Sequence, residues 1–280
     1  MPELPEVEVI RRELAPLIEG KIFAKPLLEF PSTIESPAPD LFVSRLEGRK
    51  IINTGRKGKY LLIYLDQGIL VVHLRMTGNL IYVPEKYEVE PEEDRFLRLT
   101  LPFNDGSSLR YCDMRRFGRL WLVERERELK EKVLKNVGPD IFEDLCCEDF
   151  LKLLENRKTA RLKPLLLDQN FVAGMGNIYT DECLYRCGLH PRRQVADLNR
   201  AEAEELYRQI RQVLTEGIKY GGTTFRDYRT SSGALGDFQS RLVVYGRKGE
   251  TCRCGTPIEK ITVGGRATYY CPRCQESPKD

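Results

Sequence analysis

No stretch of this sequence approaches the roughly 18 consecutive apolar residues that a membrane helix needs. Its first residues are acidic and proline-bearing rather than basic and then apolar, so no secretory signal is expected. A soluble cytoplasmic protein with no membrane partner is expected. Low-complexity tracts and internal repeats are missing too, which argues against a disordered chain or a solenoid. Histidine is scarce: His73 and His190 stand alone in separate strand-like and turn-like stretches, and neither has the partners of a hydrolytic triad. Net charge is only +3, so bulk charge selects no partner class.

What is present is unevenly distributed. The last forty residues carry eight cations, Arg241, Arg247, Lys248, Arg253, Lys260, Arg266, Arg273 and Lys279, against Glu250, Glu259, Glu276 and Asp280. A basic module on a near-neutral chain fits a polyanion, although a solvated cationic face is the commoner meaning of one such cluster. Nine cysteines divide the same way: Cys112, Cys146, Cys147, Cys183 and Cys187 fall in apparent strands and helices, where reduced, buried thiols are expected, and four more crowd the C-terminus. At 280 residues the chain can bury more than one core.

Apolar residues Val7, Ile10, Leu14 and Leu17 recur at helical spacing behind Pro5, with Glu3 and Glu6 in the positive first turn and Pro16 marking the far end. Then the period changes. "KYLLIYL", "GILVVHL", "FLRLTLP", "SSLRYCD" and "GRLWLVE" are short apolar or alternating runs broken by turn residues, which predicts a sandwich or barrel. From about Glu124 helical patterns dominate, beginning with "ERERELKEKVL". The Gly and Pro of "KNVGPDI" mark a linker, and "GGTTFRDYRTSSGALGDFQS" is long enough to be a functional loop. The expected fold is α+β and multidomain: an N-terminal β-sandwich with a leading helix, then a helical domain ending in a β-hairpin.

Three constellations and the N-terminus carry chemistry. Pro2 is either a helix-start proline or, once Met1 is removed, a secondary amine at the chain terminus. Cys252-x-Cys254 and, after sixteen intervening residues, Cys271-x-x-Cys274 match a tetrahedral structural zinc, with a disulfide-bonded hairpin as the alternative. The first pair is one residue shorter than the usual ribbon. In "GMGN", Gly174, Gly176 and Asn177 form a tight turn opening a helix, where free backbone N–H groups favour phosphate; an ordinary interhelical turn reads the same way. "HLRMTG" and "DMRRFG" each end a strand with a large residue beside arginine or glycine: Met76, Arg115 and Phe117. Such side chains are core residues in most proteins, but apolar wedges beside arginines also suit entry into a base stack.

Taken in order, "PELPEVE", "KYLL", "HLRMTG", "DMRRFG", "KPLLLDQ" with "GMGNIY", "GGTTFRDY", "VYGRKGE" and the cysteine hairpin resemble the bacterial formamidopyrimidine-DNA glycosylases over nearly the whole chain. The resemblance implies excision of oxidised purines such as 8-oxoguanine and formamidopyrimidines from duplex DNA, followed by β,δ-elimination at the abasic site. Leu4 favours this purine branch over the endonuclease VIII-like branch, which opens "PEGPE" and prefers oxidised pyrimidines; a catalytically silent damage-binding protein is the other alternative. The family often has Gly where Arg75 stands and Pro where Met114 stands.

Carried over by residue, the resemblance makes Pro2 the nucleophile, Glu3 the proton donor and Lys59 a group at the lesion phosphates. Met76, Arg115 and Phe117 become intercalating side chains. His73, Lys163, Asn177 and Arg266 become DNA contacts, and Arg226 opens the loop that covers the extruded base. One structural Zn2+ on Cys252, Cys254, Cys271 and Cys274 is implied, as is a monomer acting on damaged double-stranded DNA. The expected domains are a catalytic sandwich over 2–134, a linker over 135–145, a helix–two-turn–helix domain over 146–240 with the lesion-capping loop at 221–240, and the zinc-finger hairpin over 241–280.

Overall fold

The structure, a computed structural model, describes residues 1–86 and 96–276. Lys279 and Asp280 of the basic tail lie outside the described residues. The chain divides into two compact units, Met1–Lys135 with Tyr220–Gln239, and Asn136–Lys219 with Ser240–Asp280.

The first unit begins with helix α1 (Leu4–Ile18). Its apolar positions fall three or four apart, and Leu4, Val7, Ile10, Leu14 and Ile18 are each at most 1% exposed. Burying each such aliphatic side chain stabilises by about 2 kcal/mol. Pro16 does not end the helix but sits inside its last turn, which closes with the Glu19 amide donating to the Ala15 carbonyl at 3.1 Å. Two sheets follow, with β1 (Leu27–Leu28), β2 (Ile34–Ser36), helix α2 (Pro39–Leu46), β3 (Ile51–Lys57), β4 (Tyr60–Leu65), β5 (Ile69–His73), β6 (Gly78–Val83), β7 (Leu97–Pro102), β8 (Ser108–Asp113) and β9 (Arg119–Val123). One sheet has the order β2-β9-β5-β4-β3 and the other β1-β7-β8-β6; only β2 and β9 pair in parallel. The inward residues of α1 share one core with Leu61, Ile63, Leu70 and Val72 of the first sheet and Leu99, Leu101, Leu109 and Tyr111 of the second.

"ERERELKEKVL" forms less helix than its period predicts: a short α3 (Glu126–Glu128) runs into a π-helical turn over Leu129–Val133. Leu129 is recruited to a second apolar cluster with Leu62, Ile69, Val71 and Val123, and this tertiary packing overrides the local pattern. The long Gly- and Ser-rich loop, expected with the helical domain, belongs to the first unit from Tyr220 to Gln239. Its backbone explains why. The Thr223 amide donates to Glu6 Oε1 at 2.8 Å, the Ser231 amide and hydroxyl to Glu13 Oε2 at 2.9 and 2.8 Å, and the Arg229 amide to Asn79 Oδ1 at 2.9 Å.

The second unit holds α4 (Cys147–Glu155), α5 (Leu162–Leu167), α6 (Asn177–Arg186), α7 (Arg200–Lys219) and the antiparallel hairpin β10 (Glu259–Val263) and β11 (Arg266–Tyr270). Gly264 and Gly265, both at positive φ (55° and 72°), make its two-residue turn. All nine cysteines are free thiols. Of the five outside the hairpin, Cys183 is buried and Cys112, Cys147 and Cys187 are partly so, but Cys146 is exposed. It caps the start of α4 and donates from Sγ to Asp149 Oδ2 at 3.0 Å, a position no core residue occupies. Among the described residues no helix is long and apolar enough to cross a membrane.

Candidate active site and nucleic-acid interface

Pro2 and Glu3 lie at the head of α1, both buried, and follow a Met1 that is 53% exposed. Glu3 is the residue before the first helical turn, with extended backbone. Its amide donates to Glu6 Oε2 at 2.7 Å, and Glu6 Oε1 receives the Thr223 amide, so one carboxylate holds both the terminus and the start of the long loop. Behind them Glu8 is nearly buried. Burial works against its charge, yet Arg11, Arg12 and Arg56 bring its pKa down to about 2, so it stays ionised. Arg56 continues the chain of contacts, with Nε 3.3 Å from Glu8 Oε2 and Nη1 donating to the Gly58 carbonyl at 3.1 Å. That carbonyl belongs to the two-residue turn carrying Lys59, which is 6% exposed.

His73 ends β5 and is buried. It is 6% exposed, its Nδ1 accepts the Arg75 amide at 3.0 Å, and its ring stands edge-on to Tyr60 with centroids 4.4 Å apart. Burial, helped by the charges of Arg75 and Lys59, lowers its pKa to about 3, and the ring is neutral at ordinary pH.

The two strand-end motifs do come together. Met76 is 39% and Phe117 54% exposed, and Arg115 Nη1 donates to Met76 Sδ at 3.3 Å. Each loop holds a non-glycine residue in the left-handed region, Arg75 at φ 53° and Arg116 at φ 60°, a strained conformation that concentrates at functional sites. Thr77 and Asp113 stand between the loops; the sequence reading passed over both, because nothing local marks a Thr and an Asp 36 positions apart as partners. Beside Thr77 lies a cavity of about 750 Å³, with walls from Asn79, Ile81, Arg110 and Cys112 and from Arg226, Asp227 and Arg229 of the long loop.

In the second unit the "GMGN" turn opens α6 as expected. Gly174 takes φ 105°, a conformation costly for any residue with a Cβ, and Gly176 caps the helix. Asn177 Nδ2 donates to the Ala267 carbonyl at 2.8 Å, while its buried Oδ1 has no hydrogen-bond partner. Lys163 departs from expectation. It is fully buried, its Nζ 2.6 Å from Asp181 Oδ1 and 3.1 Å from the Ala267 carbonyl, so its charge ties α5 to α6 and the hairpin instead of facing phosphate. Burial raises the Asp181 pKa to about 6 against the pull of Lys163. Arg266, next to Ala267 at the head of β11, remains exposed. A further residue missed from sequence is Glu182, also fully buried, whose carboxylate accepts the amides of Val243, Val244 and Tyr245 at 2.9–3.0 Å.

The four C-terminal sulfurs lie within 4.8 Å of one another, with Cys254 and Cys271 at 3.5 Å and Cys252 and Cys274 at 3.8 Å. Tetrahedral zinc with Zn–S bonds near 2.3 Å places its ligands about 3.8 Å apart, so the set fits. The shortened Cys252-x-Cys254 pair still delivers both thiols, because a turn at Gly255 bends the chain there and the Cys252 amide donates to the Thr256 carbonyl at 2.9 Å. These four residues would hold one structural zinc, which replaces the core the hairpin is too small to build.

A glycine turn that opens α6, where a helix N-terminus favours phosphate, and a four-cysteine hairpin on the same unit define the class: a nucleic-acid-binding protein of zinc-finger type. Residues 1–120 match the sequence profile of the formamidopyrimidine-DNA glycosylase N-terminal domain, 137–229 that of the formamidopyrimidine-DNA glycosylase H2TH domain, and 249–276 the zinc finger found in FPG and IleRS. The formamidopyrimidine-DNA glycosylase of Heliobacterium modesticaldum is 48% identical over 99% of this chain and 100% of its own, and that of Pelotomaculum thermopropionicum 44% over 99% of each. Among solved structures, a Lactococcus lactis FPG mutant with a Fapy-dG containing DNA superposes with a TM-score of 0.89 at 35% identity, covering 99% of this chain and 100% of that one. The L. lactis Fpg bound to abasic-site DNA gives 0.88 at 35%, covering 98% and 100%. The chain belongs to the formamidopyrimidine-DNA glycosylase family.

Proposed function

We propose that this protein excises oxidised purines from duplex DNA and cleaves the resulting abasic site. The observation that carries the reading is the Pro2-Glu3 pair, buried at the head of α1 where a helix dipole and the Glu6 carboxylate fix its backbone. Freed of Met1, the Pro2 nitrogen attacks the sugar C1′; the C1′–base bond breaks, its electrons leave with the base, and the proton the nitrogen sheds neutralises the departing base. Glu3 gives a proton to the sugar ring oxygen, which opens the ring and leaves a cationic imine. That cation acidifies the C2′ hydrogen, which the Glu3 carboxylate, its proton already given, can take up; the 3′ and then the 5′ phosphate depart with the electron pairs of their C–O bonds. Lys59 holds the lesion phosphates. Met76 fills the gap left by the base while Arg115 and Phe117 engage the opposite strand, and the base enters the cavity under the Arg226 loop. Asn177 and Arg266 meet phosphate, with Lys163 and Asp181 setting their position from behind. Nine cysteines without a disulfide among them fit the reducing cytoplasm, where the protein works as a monomer.

Single-turnover excision compared on duplexes with 8-oxoguanine opposite cytosine and with thymine glycol tests the reading. The purine lesion is expected to be the faster substrate. The reverse order would move the chain to the oxidised-pyrimidine branch, and binding without excision of either would leave a silent damage-binding protein. Binding should also weaken steeply with salt: neutralising about four phosphates predicts roughly a hundredfold loss of affinity for a fourfold rise in salt. A flat response in a titration from low to moderate salt would contradict the phosphate contacts.

A further inference from the structure

We infer that Asp113, acting with Thr77 and Tyr111, is a positioning residue that locks the Met76 loop and the Arg115–Phe117 loop into one rigid wedge. The inference rests on the functional reading above for what the wedge does, but the lock itself is a matter of geometry. Asp113 ends β8 and is 1% exposed. Its Oδ1 accepts the Thr77 hydroxyl at 2.5 Å and the Arg115 amide at 3.2 Å, and its Oδ2 accepts the Gly118 amide at 2.8 Å and the Tyr111 hydroxyl at 3.4 Å. Thr77 Oγ1 in turn accepts the Arg115 amide at 3.0 Å. One carboxylate therefore spans both loops, and without it the Gly118 amide and the hydroxyls of Thr77 and Tyr111 would lose this acceptor.

The glycines that end the two motifs supply independent support. A Cβ on Gly78 would stand 2.6 Å from the Tyr111 hydroxyl oxygen, and one on Gly118 only 1.6 Å from it. Both loops are thus packed onto the same phenol, which excludes a side chain at the final position of "DMRRFG" and, together with the Leu74 carbonyl oxygen at 2.5 Å, at that of "HLRMTG". Burial, reinforced by the Asp113 carboxylate, raises the Tyr111 pKa, so the phenol remains a donor to that carboxylate. The lock also holds in place the left-handed backbone at Arg75 and Arg116, which the loops would otherwise relax. A base stack resists entry, and a wedge whose two halves move independently would lose much of its force on relaxing; a preorganised one does not.

Thr77→Val keeps the shape of the side chain and removes only the hydroxyl that joins the loops. Stack opening is read by the fluorescence of 2-aminopurine placed beside the lesion, and excision is measured in parallel on a fully paired duplex and on one whose lesion faces an abasic residue. Thr77→Val is expected to slow stack opening and excision on the paired duplex by roughly tenfold, the loss of one hydrogen bond to a charged group. On the duplex with no opposing base the loss should shrink to less than about twofold, and Thr77→Ser should restore the paired rate. Asp113→Ala should exceed Thr77→Val in the same direction; should it fail to fold, the threonine pair carries the test. Equal losses on the two duplexes, or Thr77→Val opening the stack as fast as the unmodified protein, would overturn the lock. Failure of the functional reading shows differently, as stack opening by the unmodified protein with no excision.

Discussion

Protein that retains Met1 is expected to give no borohydride-trapped adduct with an abasic-site duplex, while the same protein with Pro2 exposed gives a strong one. With Met1 attached, the Pro2 nitrogen is a tertiary amide whose lone pair is delocalised into the carbonyl, and it cannot attack. Once freed it is a terminal amine. An α-amine titrates near pH 8 against about 10.4 for a lysine side chain, so about a tenth is neutral at pH 7 where a lysine has less than about a thousandth. Pro2→Gly should lower trapping by at least about tenfold, because its primary amine gives an imine that must be protonated before it acts as an electron sink, whereas the proline imine is a cation as formed. DNA affinity, measured separately, should change less than about twofold. Mass spectrometry of the intact chain reports the state of residue 1, and an adduct from Met1-retaining protein at the processed level would move the nucleophile to a lysine, with Lys59 the first to test.

The parts of the fold and site that could be read from the sequence are those written in short-range patterns. The spacing of Val7, Ile10 and Leu14 predicts α1, alternation predicts the strands, and the paired cysteines predict the metal site, since each depends on residues a few positions apart. What sequence reading missed depends on contacts across the chain. Glu6 binds an amide 217 positions away, which places the long loop in the first unit. Lys163 finds Asp181 18 positions on and the Ala267 carbonyl 104 positions on, and a lysine that reads as a surface cation becomes a buried strut. Glu182 and Asp113 are the same case in acidic form: each looks like a solvated carboxylate in the sequence, and each is buried because it gathers backbone amides that only the folded chain brings to it.

Removing the zinc is expected to release one metal per chain, unfold the hairpin and cut DNA affinity by at least about a hundredfold, while the two-sheet unit keeps its structure. Two five-residue strands cannot stand alone. The apolar cluster beside them, Tyr185, Val244, Ile258, Cys252 and Cys271, itself includes two of the four metal ligands. Zinc binding in such modules supplies on the order of 10 kcal/mol or more of folding energy, more than a cluster of this size can replace. The loss should spread along identifiable contacts. β11 provides the Ala267 carbonyl to Asn177 and Lys163 and the Tyr269 amide to Asp181, so an unfolded hairpin leaves a buried Lys163–Asp181 pair short of partners and frees the Asn177 side chain. Hydrogen exchange should therefore quicken at the start of α6 as well as in the hairpin itself, and Cys254→Ala should reproduce both effects without a chelator. Chelated protein that keeps slow exchange at Asn177–Thr180 and binds duplex DNA as before would show that the hairpin holds its place by packing alone, and that its Arg266 does not depend on the metal for its position.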